Sequence, residues 1–164
     1  MTQIQVQIKK TNENAILPKI AKMGDAGADC YINGFKKIIL DHTKALVDLP
    51  KQKSYHLKPL ERVLCPLGFS TAIPKGYYAA LVPRSGLALW SGLSICNTPA
   101  TIDAGYRNEW GAILINLSNK NIILNIGDRV CQLIIRKVVD YTFIETEDLS
   151  DSDRGMGGYG STGI

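Results

Sequence analysis

At 164 residues the chain has the length of one ordinary domain, and 45% hydrophobic against 21% charged residues is the balance of a globular chain able to bury a core. The formal net charge of +4 is modest and the 19 Lys and Arg do not gather into one run, so composition gives no indication of a nucleic-acid partner. Met1–Lys10 lacks a signal-peptide core and no apolar stretch is long enough to span a bilayer, which predicts no membrane association and a cytoplasmic location.

Strand signals dominate from the start. Ile4, Val6 and Ile8 alternate with polar residues, the period of a half-buried strand. Gly24–Asp29 then places Asp25 and Asp29 in a glycine-softened loop, read first as a turn. Asn33–His56 carries five lysines against two aspartates and reads as a solvated surface excursion on the scaffold, a stretch that could also recruit a protein partner. Apolar runs follow at Arg62–Phe69, Tyr77–Val82, Ala112–Leu117, Ile122–Ile126 and Val130–Val139, separated by turn signals such as Pro74-Lys75-Gly76 and Asp103-Ala104-Gly105. One short helix is predicted at Gly86–Gly92. Strands at this spacing predict an all-β sandwich, jelly roll or small barrel.

The predicted organisation is one β domain over 1–144, with 33–56 as the surface insertion, an acidic linker over 145–153 and a glycine-rich end over 154–164. Five glycines lie among Arg154–Ile164, R-G-M-G-G-Y-G-S-T-G-I. No core needs such a segment, because glycine buries nothing and loses the most backbone entropy on ordering. It is either a plain flexible terminus or a lid: bare N–H groups, two hydroxyls, a guanidinium and one aromatic face suit a polyphosphate joined to a flat base.

Cysteine and histidine exclude other chemistries. Cys30, Cys65, Cys96 and Cys131 form no C-x-x-C pair and each sits among apolar neighbours, so all four are expected to be buried thiols in a reducing compartment. His42 and His56 have no partner ligands at metal spacing.

Three segments are polar in apolar settings. Pro83-Arg84-Ser85-Gly86 opens the predicted helix and is either an ordinary capped turn or a phosphate-binding one. Asp103 precedes Gly105 and Tyr106, and either caps that turn or faces a substrate. Gly127–Gln132 puts Asp128, Arg129 and Gln132 at the start of a strand, with an Asp128–Arg129 ion pair as the plain account.

Taken in order, D-A-G-A-D-C-Y (Asp25–Tyr31), P-R-S-G-L-A (Pro83–Ala88), T-I-D-A-G-Y-R-N-E (Thr101–Glu109), G-D-R-V-C-Q-L-I (Gly127–Ile134) and R-G-M-G-G-Y-G-S-T-G (Arg154–Gly163) closely resemble the five motifs of the trimeric dUTPases. The resemblance implies a distorted jelly-roll β-barrel with one short helix and a flexible C-terminal arm. It implies hydrolysis of dUTP to dUMP and pyrophosphate, which limits uracil in DNA and supplies dUMP for dTMP synthesis. It also implies a homotrimer with shared sites.

The implied mechanism is in-line attack of water on the α-phosphorus, with Mg²⁺ held by the substrate's phosphates and water rather than by a protein cage. Asp103 aligns with the catalytic aspartate; a carboxylate is a weak base, so its larger contribution is to position the water. Tyr106 would pack on the deoxyribose and exclude a 2′-hydroxyl. Asn97 would read uracil, since its amide donates and accepts at once. Arg84, Ser85, Gly86 and Gln132 would face the phosphates, and Asp29 is a candidate outer-shell partner of the metal. From the tail, Arg154, Gly160, Ser161 and Thr162 would hold the phosphates while Tyr159 covers the base. Gly105 stands where many members have a second aspartate, and Tyr159 where phenylalanine is frequent.

Three other readings remain at this point, one of them a general triphosphatase, which the Asn97 and Tyr106 roles disfavour. A dCTP deaminase shares the fold but needs a glutamate seven residues after the aromatic, where this chain has Ile113. A dUTPase-like regulatory protein would act through 33–56.

Overall fold

Alternation of inward and outward side chains shapes several strands of this chain, whereas others carry continuous buried runs. The computed structural model describes residues 4–40 and 44–158. In chain order it contains β1 (Gln7–Lys10), β2 (Lys19–Ile20), β3 (Ala28–Tyr31), β4 (Lys36–Ile38), β5 (Leu46–Asp48), β6 (Ser54–Leu57), β7 (Arg62–Pro66), β8 (Phe69–Ala72), β9 (Tyr77–Pro83), helix α1 (Ser85–Ser91), β10 (Leu93–Ile95), β11 (Ala100–Ile102), β12 (Gly111–Asn116), β13 (Ile122–Asn125) and β14 (Arg129–Lys137). In β12, Ala112, Leu114 and Asn116 are buried while Gly111, Ile113 and Ile115 are only half-buried, the period-2 pattern read from the sequence.

One antiparallel sheet has the order β10-β12-β7-β4-β5 and a second has β11-β9-β14-β3-β2; β1 pairs with β8, and β13 with β6. Both large sheets feed one core, the first through Val63, Cys65 and Leu114, the second through Cys30, Leu81 and Cys131. The architecture is the expected jelly roll with one short helix. Among the described residues its sheets stay open rather than closing into a barrel. Trp110 is fully buried, with its ring 5.2 Å from Phe69, and side chains of this size contribute about 1.5–3 kcal/mol each by burial.

Residues 33–56 serve two purposes. β4 pairs with β5 and with β7; it is half-buried, while β5 is exposed at the sheet edge. The flanks belong to the body: Phe35 and Tyr55 are buried with ring centroids 5.7 Å apart, and β6 pairs with β13. Arg62–Phe69, one apolar run in the sequence, breaks into β7 and β8 at Gly68. That residue has φ +77°, and a Cβ there would stand 2.4 Å from the Ala15 Cβ. Three of the cysteines are buried, but Cys96 is exposed, correcting the expectation for all four. Apolar neighbours in sequence do not bury it, because it lies in the turn after β10 rather than within a strand.

Candidate active site

Asp29 is the one buried charged side chain among the described residues. A carboxylate out of water costs several kcal/mol unless it is paired, and here it is paired on both oxygens. Arg84 Nε lies 3.2 Å from Oδ1, Arg129 Nη1 lies 3.2 Å from Oδ2, and Gln132 Nε2 donates to Oδ1 at 3.4 Å. Arg84 Nη1 also donates to the Arg129 carbonyl at 3.3 Å.

A β-bulge assembles this cluster. Arg129 pairs with Tyr31, Cys131 with Cys30 and Gln132 with Asp29, so Val130 is an extra residue in β14. Arg129 and Gln132 are three apart and would face opposite sides of a regular strand; the extra residue returns both to the Asp29 face. Gly27 keeps room for the amide, since a Cβ there would meet the Gln132 side chain at 3.2 Å. Beneath, the Cys30 thiol is held neutral: its hydrogen bond with Cys131, burial and the Asp29 charge all raise its pKa.

The expected Asp128–Arg129 pair is not formed. Neighbours along a strand point to opposite faces; Asp128 Oδ2 instead accepts from Asn125 N at 2.7 Å and Asn125 Nδ2 at 3.3 Å, closing the turn before β14. Asp25 does take the turn role, its Oδ2 accepting from Lys22 N at 3.0 Å, whereas Asp29 belongs to strand β3.

Arg84 precedes α1 in extended conformation, φ −83°, ψ 127°. Ala88 N–H donates to Arg84 O at 3.0 Å, and the amides of Ser85, Gly86 and Leu87, in the first turn, have no partner within the helix. Ser85 and Gly86 are exposed, and nothing lies within 4 Å of where a Gly86 Cβ would stand.

A second group gathers around the loop after β11. Asn97 is exposed in the turn joining β10 to β11. Asp103 follows Ile102 directly; its carbonyl accepts from Tyr106 N at 3.1 Å, while its carboxylate makes no hydrogen bond or ion pair among the described residues. The alternative in which the Asp103 side chain caps this turn is therefore not what the structure holds. Tyr106 is 39% exposed, and its hydroxyl donates to the Glu109 carbonyl at 3.2 Å.

Arg107 and Glu109 were not singled out by sequence reasoning. Arg107 Nη1 donates to the carbonyls of Ala104 at 2.5 Å and Tyr106 at 3.0 Å, and lies 3.5 Å from that of Thr71. Glu109 Oε1 accepts from Thr11 Oγ1 at 2.7 Å and Gly68 N at 3.1 Å. The partners of Glu109 are far away in sequence, and no local pattern signals either residue.

The two groups stand apart within one chain. β11 runs antiparallel to β9 with Ile102 opposite Ala79, so Asp103 leaves toward the start of β9. Gln132 is level with Val82, and Arg84 follows the end of β9. Four to six residues of strand separate them, roughly 13–20 Å at about 3.3 Å per residue. Arg154 is exposed in the tail; its Nε donates to the Gly157 carbonyl at 2.9 Å. Tyr159, Gly160, Ser161 and Thr162 lie outside the described residues. Ile113, at the place where a deaminase needs an acid, is a strand residue of β12.

Among the described residues no group of three His, Cys, Asp or Glu could hold a metal ion, and no helix is long and apolar enough to cross a membrane.

A family model for dUTPase matches residues 39–163. The deoxyuridine 5′-triphosphate nucleotidohydrolase of Treponema denticola is 41% identical over 155 residues, covering 94% of this chain and 96% of that protein. In fold, the chain is similar to a mutant of the Staphylococcus bacteriophage 80alpha dUTPase with dUpNHpp, with TM-score 0.78 and 23% identity, covering 99% of this chain and 100% of that one. It is also similar to a mutant dUTPase from phage phi11 of S. aureus, described for the coordination of a structural Mg(II) ion, with TM-score 0.71 and 21% identity over 90% of this chain and 100% of that one.

Proposed function

The chain belongs to the dUTPase family, and we propose that it acts as a dUTP diphosphatase whose site is assembled between copies of itself. It hydrolyses dUTP to dUMP and pyrophosphate, limiting uracil in DNA and supplying dUMP. The observation that carries the assembly is the separation just described. A water aimed by Asp103 must lie about 3–3.5 Å from the phosphorus it attacks, yet Arg84 and Gln132 of the same chain stand roughly 13–20 Å away.

A neighbouring copy supplies the missing half. Val139, Tyr141, Phe143 and Ile144 follow β14 as an exposed apolar segment, and Leu89 and Trp90 of α1 are exposed as well; surfaces of this kind mark association. A homotrimer fits both observations.

In this arrangement the Asp103 carboxylate accepts a hydrogen bond from the attacking water and directs its oxygen at the α-phosphorus. Tyr106 covers the deoxyribose, and the Asn97 amide reads the uracil edge. Arg84, the Ser85 and Gly86 amides and Gln132 hold the phosphates. Asp29 serves them through Arg84 and Gln132, because both of its oxygens are engaged there and by Arg129. Arg154, Tyr159, Gly160, Ser161 and Thr162 close over the nucleotide.

The donor set fits magnesium arriving on the phosphates: guanidinium and amide groups with, among the described residues, no cluster of carboxylates. Bound in that way, Mg²⁺ neutralises phosphate charge and keeps the chain in an attackable shape. All four cysteines are free thiols, which supports a reducing, cytoplasmic setting.

Pyrophosphate release with magnesium, measured on dUTP, UTP and the four standard deoxynucleotides, tests the reading. Cleavage of dUTP far above the rest supports it. No cleavage, or equal cleavage of all, overturns it, and ammonia from dCTP would identify a deaminase.

A second reading concerns the β4–β5 hairpin, where Leu46 and Val47 are exposed on the edge strand β5. It would bind a protein partner without touching catalysis. Trimming the hairpin tip should then leave turnover intact while a partner's binding is lost.

A further inference from the structure

Asp103 has no side-chain partner among the described residues, so the direction of its carboxylate is set by the backbone of the turn that carries it. Gly105 adds no packing to that turn, since nothing lies within 4 Å of the position its Cβ would take, so hydrogen bonds alone fix the turn there.

Its far end is secured. Trp110 N–H donates to the Phe69 carbonyl at 2.9 Å, and the Glu109 carboxylate holds Thr11 and the Gly68 amide. Glu109 O in turn receives the Tyr106 hydroxyl at 3.2 Å, fixing the outer edge of the ring. Between these points one side chain crosses the turn. Arg107 Nη1 donates to Ala104 O and Tyr106 O, on either side of Gly105, and points at the Thr71 carbonyl on β8.

We infer that Arg107 is a positioning residue, a clamp across the Asp103–Tyr106 turn that sets the aim of the Asp103 carboxylate and the distance of the Tyr106 ring from the sugar. The inference rests on the proposed roles of Asp103 and Tyr106. Arg107 touches neither uracil nor phosphate in that reading, so its loss should be felt in turnover and sugar selection rather than in overall affinity. All three carbonyls face one nitrogen, a demand that a lysine ammonium, with three N–H donors, meets in part despite its shorter reach.

The test uses the full chain with Arg107→Gln and Arg107→Lys. Steady-state kinetics on dUTP and UTP are combined with hydrogen exchange over residues 100–109 and thermal melting. For Arg107→Gln, kcat on dUTP should fall about tenfold or more while KM moves by less than about threefold, a misplacement effect. The preference for dUTP over UTP should shrink, exchange at the Tyr106 amide should quicken, and Arg107→Lys should recover part of each.

Unchanged exchange across the turn overturns the inference. An equal loss on dUTP and UTP accompanied by a lower melting temperature also overturns it, since that is a merely structural role. Wild-type turnover in Asp103→Asn would instead remove the proposed function, while the exchange measurement would still decide whether Arg107 orders the turn.

Discussion

Arg129 meets Asp29 across β14 and β3 with Nη1 3.2 Å from Oδ2, and it does so because Val130 is an extra residue in β14. The same carboxylate orients Arg84 and Gln132, so its charge organises three donors at the place proposed to hold the phosphates. Asp29→Asn should raise KM for dUTP about tenfold, the worth of a charge-assisted hydrogen bond. The stability cost should stay near 1–2 kcal/mol, because both guanidinium groups are partly exposed. Kinetics and a melting curve on one preparation check both; wild-type KM would leave Asp29 a packing residue.

Asp103→Asn should keep dUTP binding and lower kcat by about 10²–10⁴, the range expected when a positioned proton acceptor is removed. Calorimetric titration with a non-hydrolysable dUTP analogue separates the two effects. Equal losses of affinity and rate would mean that Asp103 binds substrate rather than aiming water.

Asp103 and Gln132 are parted by about four residues of strand within one chain, so under the proposed shared site two inactive variants should complement. Asp103→Asn mixed with Gln132→Ala, unfolded and refolded together, should regain a fraction of wild-type turnover. If the mixture stays as inactive as its components, the site is not shared between copies.

A chain ending at Asp153 should fold with an unchanged melting temperature but lose most of its turnover. The hydrogen bonds of 152–157 run within that segment, so among the described residues removing the tail takes no hydrogen bond from the body. Full activity without Arg154–Ile164 would reduce the tail to a plain terminus.

Alkaline pH should destabilise the fold. Burial, followed by the hydrogen bond to Glu61 at 2.6 Å, pushes the Tyr55 phenol well above its ordinary value, and burial does the same to the Cys65 thiol. Below about pH 8.5, the ordinary thiol value, folded and unfolded chains both keep these protons and the contribution is complete. As pH climbs through about 8.5–10 the unfolded chain releases them and the folded chain does not, so stability falls. Melting temperatures from pH 7 to 10.5 test this, and Tyr55→Phe should flatten the upper part of the decline.

Much of the scaffold was legible from local pattern. The runs at Tyr77–Val82, Ile122–Ile126 and Val130–Val139 became β9, β13 and β14 within one or two residues, because short apolar runs bounded by turn residues are written locally in the chain. Cys96 misled, since apolar sequence neighbours do not reveal which way a turn faces. Asn33–His56 also escaped local reading: its lysines suggested a solvated loop, and nothing nearby announced that Phe35 and Tyr55 stack in the core. The motifs singled out Asp103, Arg84 and Gln132, whereas Glu109 passed unnoticed because its partners, Thr11 and Gly68, are 98 and 41 residues away, and Arg107 because only the folded turn brings its side chain back onto the Ala104 and Tyr106 carbonyls.

By itself, then, the sequence carried the apolar runs that became β9, β13 and β14 and the five motifs that resemble the dUTPases, because these are properties of neighbours in the chain. Only the tertiary structure decided who meets whom. Asp29 and Arg129, 100 residues apart, are joined by strand register and one bulged valine, and Asp103 is parted from Arg84 by the length of β9. Register is a collective outcome of two sheets packing on one core, and a shift of one residue would turn each of these side chains to the other face.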